Sequence, residues 1–326
     1  MRSLINGVAA MTLAASATAH AFDLQGHRGA RGLMPENTLP AFATALAVGV
    51  TTLEFDLAMT RDGVLVVHHD ERLNPDITRR DGGFLSERGP AIYAVTLDEL
   101  RRYDVGRLKP DTPYARRFAS QTPVDGTSIP TLAEVFDLVA AAGADHIRFN
   151  IETKITPTSG ADVPPPDVFA EAVGRAIAER GWTARATVQS FDWRTLLVLR
   201  EKFPLIERVC LTSEAADEDT IGRGKPGASP WTAGLDVDDY GGSTPRLVAA
   251  AGCSVWSPYV RDLTPERITE AKALDLKVIP WTVNEPSDMA RMIELGVDGL
   301  ISDYPDRLRA VLVEKGMAVP PKVVVR

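Results

Sequence analysis

Glu54 and Asp56 stand two apart in the run Thr-Leu-Glu-Phe-Asp-Leu. In an extended strand that spacing puts both carboxylates on one face and leaves Leu53, Phe55 and Leu57 for the other. Glu152 and Lys154 repeat the arrangement at the end of a second apolar run, Ile147–Glu152. A carboxylate in mid-strand is costly to bury without a neutralising partner, and three that converge call for a cation more than for a lone Arg or Lys. Oxygen donors without a cluster of Cys or His favour a hard divalent ion, Mg²⁺ or Ca²⁺. The competing reading is a structural salt-bridge network of Glu54, Asp56 and Glu152 with Arg28 and Lys154. His27 and His69 are two of only five histidines. One imidazole taking a proton from a nucleophile while another gives one to a leaving group is what hydrolysis near neutral pH requires. His68 points to the other side of its strand and reads as a structural neighbour.

These side chains act together only if the elements carrying them end at one place. Short β-rich runs alternate with amphipathic helical stretches, the pattern of a parallel α/β fold. The runs are Leu24–Arg28, Thr52–Leu57, Val64–His68, Ile147–Glu152, Ala186–Ser190, Glu207–Leu211, Cys253–Ser257, Lys277–Thr282 and Gly299–Ser302. Only Ala58–Gly63 separates the second run from the third, too little for a parallel crossover, so the third is the returning arm of a hairpin turned at Arg61-Asp62-Gly63. The other eight are each followed by a helical stretch, which predicts a (β/α)₈ TIM barrel. The helical stretches are Thr38–Val48, Thr131–Ala142, Pro166–Arg180, Trp193–Phe203, Pro245–Ala251, Pro265–Leu274, Pro286–Leu295 and Pro305–Glu314. Proline opens many of them, where its missing N–H costs nothing. The charged residues all fall at the C-terminal ends of the runs, the face where barrel active sites lie and where structural ion networks seldom gather. The hairpin brings His69 back to the same face.

Residues Glu71–Ile129, rich in Arg, Asp, Gly and Pro, break the alternation, with one helical stretch at Thr96–Tyr103. They read as an insertion after the strand hairpin, spanning about 71–130, that forms a wall of the pocket. Ser213–Ser243 is another long polar loop, lid-like or merely mobile. No internal repeat is visible.

At the N-terminus, Arg2 precedes an apolar stretch, Leu4–Ala17, and Ala19-His20-Ala21 follows. This is the grammar of a signal peptide, residues 1–21, cleaved after Ala21. The run is too short to span a membrane. The mature chain, residues 22–326, is then expected to be exported without stable membrane insertion, and periplasmic if the source is a Gram-negative bacterium. The formal charge of −8 becomes −9 on loss of one Arg. An acidic chain without a basic run argues against nucleic acid as a partner. Cys210 and Cys253 are too far apart in sequence for a Cys-x-x-Cys site, and whether they pair is left open.

Taken in order, Gly26-His27-Arg28-Gly29, Pro35-Glu36-Asn37-Thr38, Leu53-Glu54-Phe55-Asp56, Thr60-Arg61-Asp62-Gly63 and His69-Asp70 resemble the glycerophosphodiester phosphodiesterase family. The match continues through Ile129-Pro130-Thr131-Leu132, Asn150-Ile151-Glu152-Thr153-Lys154, Gln189-Ser190-Phe191, Trp281-Thr282-Val283-Asn284 and Asp298-Gly299-Leu300-Ile301-Ser302-Asp303-Tyr304-Pro305. The resemblance implies one divalent cation held by Glu54, Asp56 and Glu152, with acid–base work by His27 and His69. It further implies phosphate contacts from Arg28 and Lys154 and a pocket shaped by Phe191 and Trp281. The implied reaction is hydrolysis of small-molecule glycerophosphodiesters to glycerol 3-phosphate and an alcohol. Alternatives are a lysophospholipase D or phospholipase-type reaction, and a non-catalytic binder of the same ligands, which would need no pair of histidines. Read locally, Pro35-Glu36-Asn37-Thr38 is a helix start with Asn37 as N-cap. Asp303-Tyr304-Pro305 ends the last strand, and Trp281 serves equally well as a barrel-wall aromatic.

Overall fold

A computed structural model describes residues 22–325; the expected signal peptide lies outside the described residues. Strand β1 (Asp23–Gly26) and helix α1 (Leu39–Val48) lead into β2 (Thr52–Met59), which turns back as β3 (Leu65–Val67). A small sheet follows, made of β4 (Arg79–Arg80), β5 (Gly83–Phe84) and β6 (Tyr103–Asp104), with short helices α2 (Leu97–Leu100) and α3 (Pro113–Arg117). After α4 (Leu132–Ala141) strand and helix alternate: β7 (Arg148–Thr153), α5 (Pro166–Glu179), β8 (Ala186–Ser190), α6 (Trp193–Lys202), β9 (Glu207–Thr212) and α7 (Thr244–Ala251). The series ends with β10 (Val255–Pro258), α8 (Pro265–Ala273), β11 (Lys277–Val278), α9 (Pro286–Glu294), β12 (Gly299–Ser302) and α10 (Pro305–Glu314).

The parallel strands run in the order β11-β10-β9-β8-β7-β2-β1-β12. Backbone bonds from Asp298 N to Val278 O (2.9 Å) and from Ile301 N to Pro280 O (3.1 Å) join the two ends, and Val283 N returns one to Ile301 O (3.0 Å). The sheet is therefore a (β/α)₈ barrel. Strand β11 is shorter than the expected Lys277–Thr282, because Pro280 has no N–H for a ladder; beyond it the pairing resumes only as an isolated parallel bridge between Trp281 and Tyr259. β3 pairs antiparallel with β2 in the register Leu57↔Val67, so the run after Gly63 is a hairpin arm and not a barrel strand.

Every residue of β2 is buried, because its two faces meet different layers. Phe55 points outward and meets Phe42 of α1 and Phe149 of β7 edge-on, at ring separations of 5.5 and 6.4 Å. Loss of such a ring costs about 3–5 kcal/mol. Inside the barrel, Val209, Val255, Ile279 and Ile301 form a separate apolar cluster with Trp281 against it. Gln25, Glu54, Asn150 and Gln189 fill the opposite side with polar groups, all buried.

Between β3 and α4 the chain has a minor core of its own, including Leu73, Ile92, Leu100 and Tyr103. The helix expected over Thr96–Tyr103 shrinks to α2: a Thr96–Glu99 capping box starts it, but Tyr103 leaves to pair with Arg80. Cys210 and Cys253 are disulfide-bonded, with Cα atoms 5.9 Å apart, which ties β9 to the turn before β10.

Candidate active site

Parallel strands end together, so the residues at their C-terminal ends share one mouth. The turn after β1 is tight. A Cβ on Gly26 would lie 2.1 Å from the carbonyl oxygen of Gly29, and Gly29 itself has φ +83 with α1 packed against it. This explains the glycines that flank His27-Arg28. Arg28 also takes a left-handed conformation, φ +49, which aims its backbone N–H at Glu54 Oε2, 2.8 Å away.

The register Asp56↔Glu152 sets the β2 and β7 carboxylates side by side. Glu54, Asp56 and Glu152 each offer an oxygen, and these atoms lie within 4.8 Å of one another. All three residues are buried. Around them, Gln189 donates to Glu54 Oε1 (2.8 Å) and Asn37 to Asp56 Oδ2 (2.8 Å). Lys154 Nζ lies 2.7 Å from Glu152 Oε1, and Arg28 Nε lies 3.3 Å from Asp56 Oδ2. The Arg28 guanidinium is further held by Glu36 Oε1 at 2.6 Å, and Tyr114 of α3 hydrogen-bonds the other oxygen of that carboxylate.

Three buried carboxylates here face two adjacent cations, Arg28 and Lys154. Burial and the neighbouring Asp56 push Glu54 well above the carboxylate range. Burial lifts Glu152 to about 7 despite Lys154. Burial would raise Asp56 too, but Arg28, His69 and Lys154 outweigh it and hold that carboxyl low. Burial that pushes two of three clustered acids upward, on all-oxygen donors, leaves an unfavourable concentration of negative charge that one hard divalent cation would offset. The residues present therefore fit such an ion.

His27 Nδ1 contacts Asp303 Oδ1 at 2.6 Å, and its Nε2 lies 3.9 Å from Glu54 Oε2. Burial and the nearby Arg31 depress its pKa to about 4, so the ring is neutral at pH 7. His69 Nδ1 contacts Asp70 Oδ1 at 2.7 Å. Its pKa too falls well below the usual value, through burial and the Arg28 and Lys154 charges. His68 turns to the backbone of Asp70 instead.

His27, His69, Arg28, Lys154, Phe191, Trp281 and the three carboxylates all line one cavity of about 1310 Å³. Phe191 and Trp281 meet edge-on at 5.2 Å, and Tyr259 lies 5.4 Å from Trp281. Glu71, Arg72, Arg88 and Arg117, from the segment after the hairpin, reach the same cavity, as do Asp219 and Trp231 of the 213–243 loop.

The sequence model of the glycerophosphoryl diester phosphodiesterase family matches residues 27–307. The chain belongs to that family. Membership makes it an enzyme of the phosphoric diester hydrolase class. It is 31% identical to a glycerophosphodiester phosphodiesterase of Caldanaerobacter subterraneus subsp. tengcongensis, over 89% of this chain and 97% of the relative. A solved structure from Silicibacter pomeroyi, provisionally named for the same activity, superposes with a TM-score of 0.80 at 37% identity, covering 92% of this chain and 96% of that one. An Oleispira antarctica phosphodiesterase, solved with its product sn-glycerol-3-phosphate, shares the fold at a TM-score of 0.63 and 20% identity, over 89% and 96% of the two chains.

In this family member, residues that the sequence reading gave to local structure surround the site. Asn37 is not the N-cap: Thr38 is, accepting from Ala41 N, and Asn37 sits at φ +56 with its side chain on Asp56. Asp303 closes β12 but also contacts His27. Arg31, Glu36, Gln189 and Tyr114 carried no assigned role. Its place near the C-terminal end of an expected barrel strand was a usable signal for Gln189; for Tyr114, seventy-eight residues from Glu36, none existed.

Proposed function

We propose that this enzyme hydrolyses glycerophosphodiesters at phosphorus, giving glycerol 3-phosphate and an alcohol. The supporting observation is the convergence of three carboxylates and two neutral histidines on one cavity. Glu54, Asp56 and Glu152 hold one divalent cation, Mg²⁺ or Ca²⁺, which when bound supplies positive charge against the phosphoryl oxygens. Arg28 and Lys154 add fixed positive charge there, and their carboxylate partners keep both side chains ordered. One histidine takes the proton from the attacking water. The anionic diester raises the proton affinity of the other, which donates to the departing alkoxide as the P–O bond breaks. Phe191 and Trp281 pack against the organic part of the substrate.

Turnover of glycerophosphocholine is expected to vanish in chelator and return with Mg²⁺ or Ca²⁺. His27→Ala and His69→Ala should each lower turnover by about two to four powers of ten while leaving metal affinity intact. A nitrophenyl diester hardly needs protonation of its leaving group, so the variant lacking the general acid should recover on it and the other should not. Full activity after exhaustive chelation, or wild-type turnover in both variants, refutes the reading. Export with cleavage after Ala21 belongs to the same proposal, supported by residues 1–21 and by a disulfide that an oxidising compartment would preserve. N-terminal sequencing of the secreted or periplasmic protein tests it.

A further inference from the structure

Gly26 of β1 faces Ser302 of β12 in their parallel register. The next residue on each strand is His27 or Asp303, so the two emerge side by side at the barrel mouth. Asp303 has no exposed surface, and both of its carboxylate oxygens are engaged. Oδ1 lies 2.6 Å from His27 Nδ1 and accepts from Arg31 Nε at 2.8 Å. Oδ2 accepts from Asn284 Nδ2 at 2.7 Å. Asn284 is oriented in turn, because its Oδ1 accepts from Asp303 N at 3.0 Å and from Ser302 Oγ at 3.3 Å. Its amino group is therefore the end that faces the carboxylate. Arg31 lies over the ring of Phe118, 4.7 Å from the centroid.

A carboxylate so held only accepts hydrogen bonds. We propose that Asp303, backed by Asn284 and Arg31, is a positioning residue that keeps the His27 proton on Nδ1 and turns the bare Nε2 into the cavity. This rests on reading His27 as a proton-transfer group. The structure contains a real competitor: Arg31 Nη2 also approaches His27 Nδ1, at 3.2 Å. Were that contact to govern, Nδ1 would be bare and Nε2 would carry the proton, useless for abstracting another. The shorter contact to a full negative charge is the stronger of the two.

Asp303→Asn keeps the shape but substitutes an NH₂ for one acceptor. That group must face either the amino end of Asn284 or the Arg31 and His27 donors, so the arrangement is frustrated whichever way the amide turns. In the metal-loaded protein, kcat on a glycerophosphodiester should drop by about 10- to 1000-fold with KM within about twofold. In a His27→Gln background the same substitution should cost nothing further, measured on a nitrophenyl diester. Long-range ¹H–¹⁵N spectra of histidine-labelled protein, with the His27 signal assigned by its loss in His27→Gln, should show the Nδ1–H tautomer in wild type and a shift away from it in Asp303→Asn. Equal losses in both backgrounds, or an unchanged tautomer and turnover in folded Asp303→Asn, overturn the proposal. If that variant does not fold, the wild-type spectrum decides, since an Nε2–H ring overturns it unaided. The tautomer is read without reference to turnover, so failure of the His27 role and failure of the Asp303 role are told apart.

Discussion

At the scale of single residues, two of the three carboxylates of the candidate metal site, Asp56 and Glu54, are oriented by neutral amides. Asn37 donates to Asp56 Oδ2 and its own Oδ1 faces Asp56 N at 3.4 Å; Gln189 does the same service for Glu54. Groups that orient ligands typically contribute about 10- to 100-fold in metal affinity. Asn37→Ala should therefore weaken Ca²⁺ or Mg²⁺ binding by that order in a calorimetric titration, and Ala is also strained at a positive φ. An unchanged affinity would show that Asp56 needs no such support. Glu54, Asp56 and Glu152 could be read from sequence because a two-residue period and an apolar background single them out. Asn37 could not, because its neighbours offer a complete local account as a helix start, and only the fold brings β2 beside it.

At the scale of elements, the hairpin β2–β3 followed from loop length alone, and most barrel helices followed from proline and apolar period. What failed were short pieces whose ends are set by tertiary contacts or by proline: α2 loses its last turn to the β4–β6 sheet, and β11 ends at Val278, two residues before Pro280. The 213–243 loop is better anchored than its composition suggests. Glu214 accepts from Arg223 Nη2 (2.6 Å), Thr244 Oγ1 (2.7 Å) and Arg267 Nη1 (2.9 Å). Burial would raise its pKa, but these partners outweigh it and lower it. Because the folded value lies below the unfolded one, the carboxylate contributes stability above the unfolded pKa, near about 4.3. That contribution disappears as pH falls through the folded value. Denaturant melts should accordingly show a shallower acid-side loss of stability in Glu214→Gln than in wild type, with the variant less stable at pH 7. Parallel pH curves would mean that the loop is held by other contacts.

At the scale of the whole molecule, the Cys210–Cys253 bond closes a loop of forty-three residues that contains the entire 213–243 wall of the cavity. The entropy of such a closure corresponds to about 4 kcal/mol in the simple chain model. A Cys210→Ser, Cys253→Ser double variant should lose stability of that order in urea while keeping its metal affinity, since no ligand lies within the loop. The sequence left this pairing open because spacing alone does not bring two Cα atoms together; the adjacency of β9 and β10 does. The barrel itself was legible, because eight strand–helix pairs allow few other closed arrangements.

Closure of the ring has a consequence for how the enzyme comes to be active. Its first strand is hydrogen-bonded to its last, and the contact between His27 and Asp303 spans 276 positions of the chain. During synthesis the carboxylates on β2 and β7 can meet long before β12 exists, while β1 has no neighbour on its open edge. A growing chain would then bring its three clustered carboxylates together early and align His27 against Asp303 only when the final strand docks. The His27–Asp303 contact is thus a report of completion, formed only once the strand Gly299–Ser302 is in place beside the first.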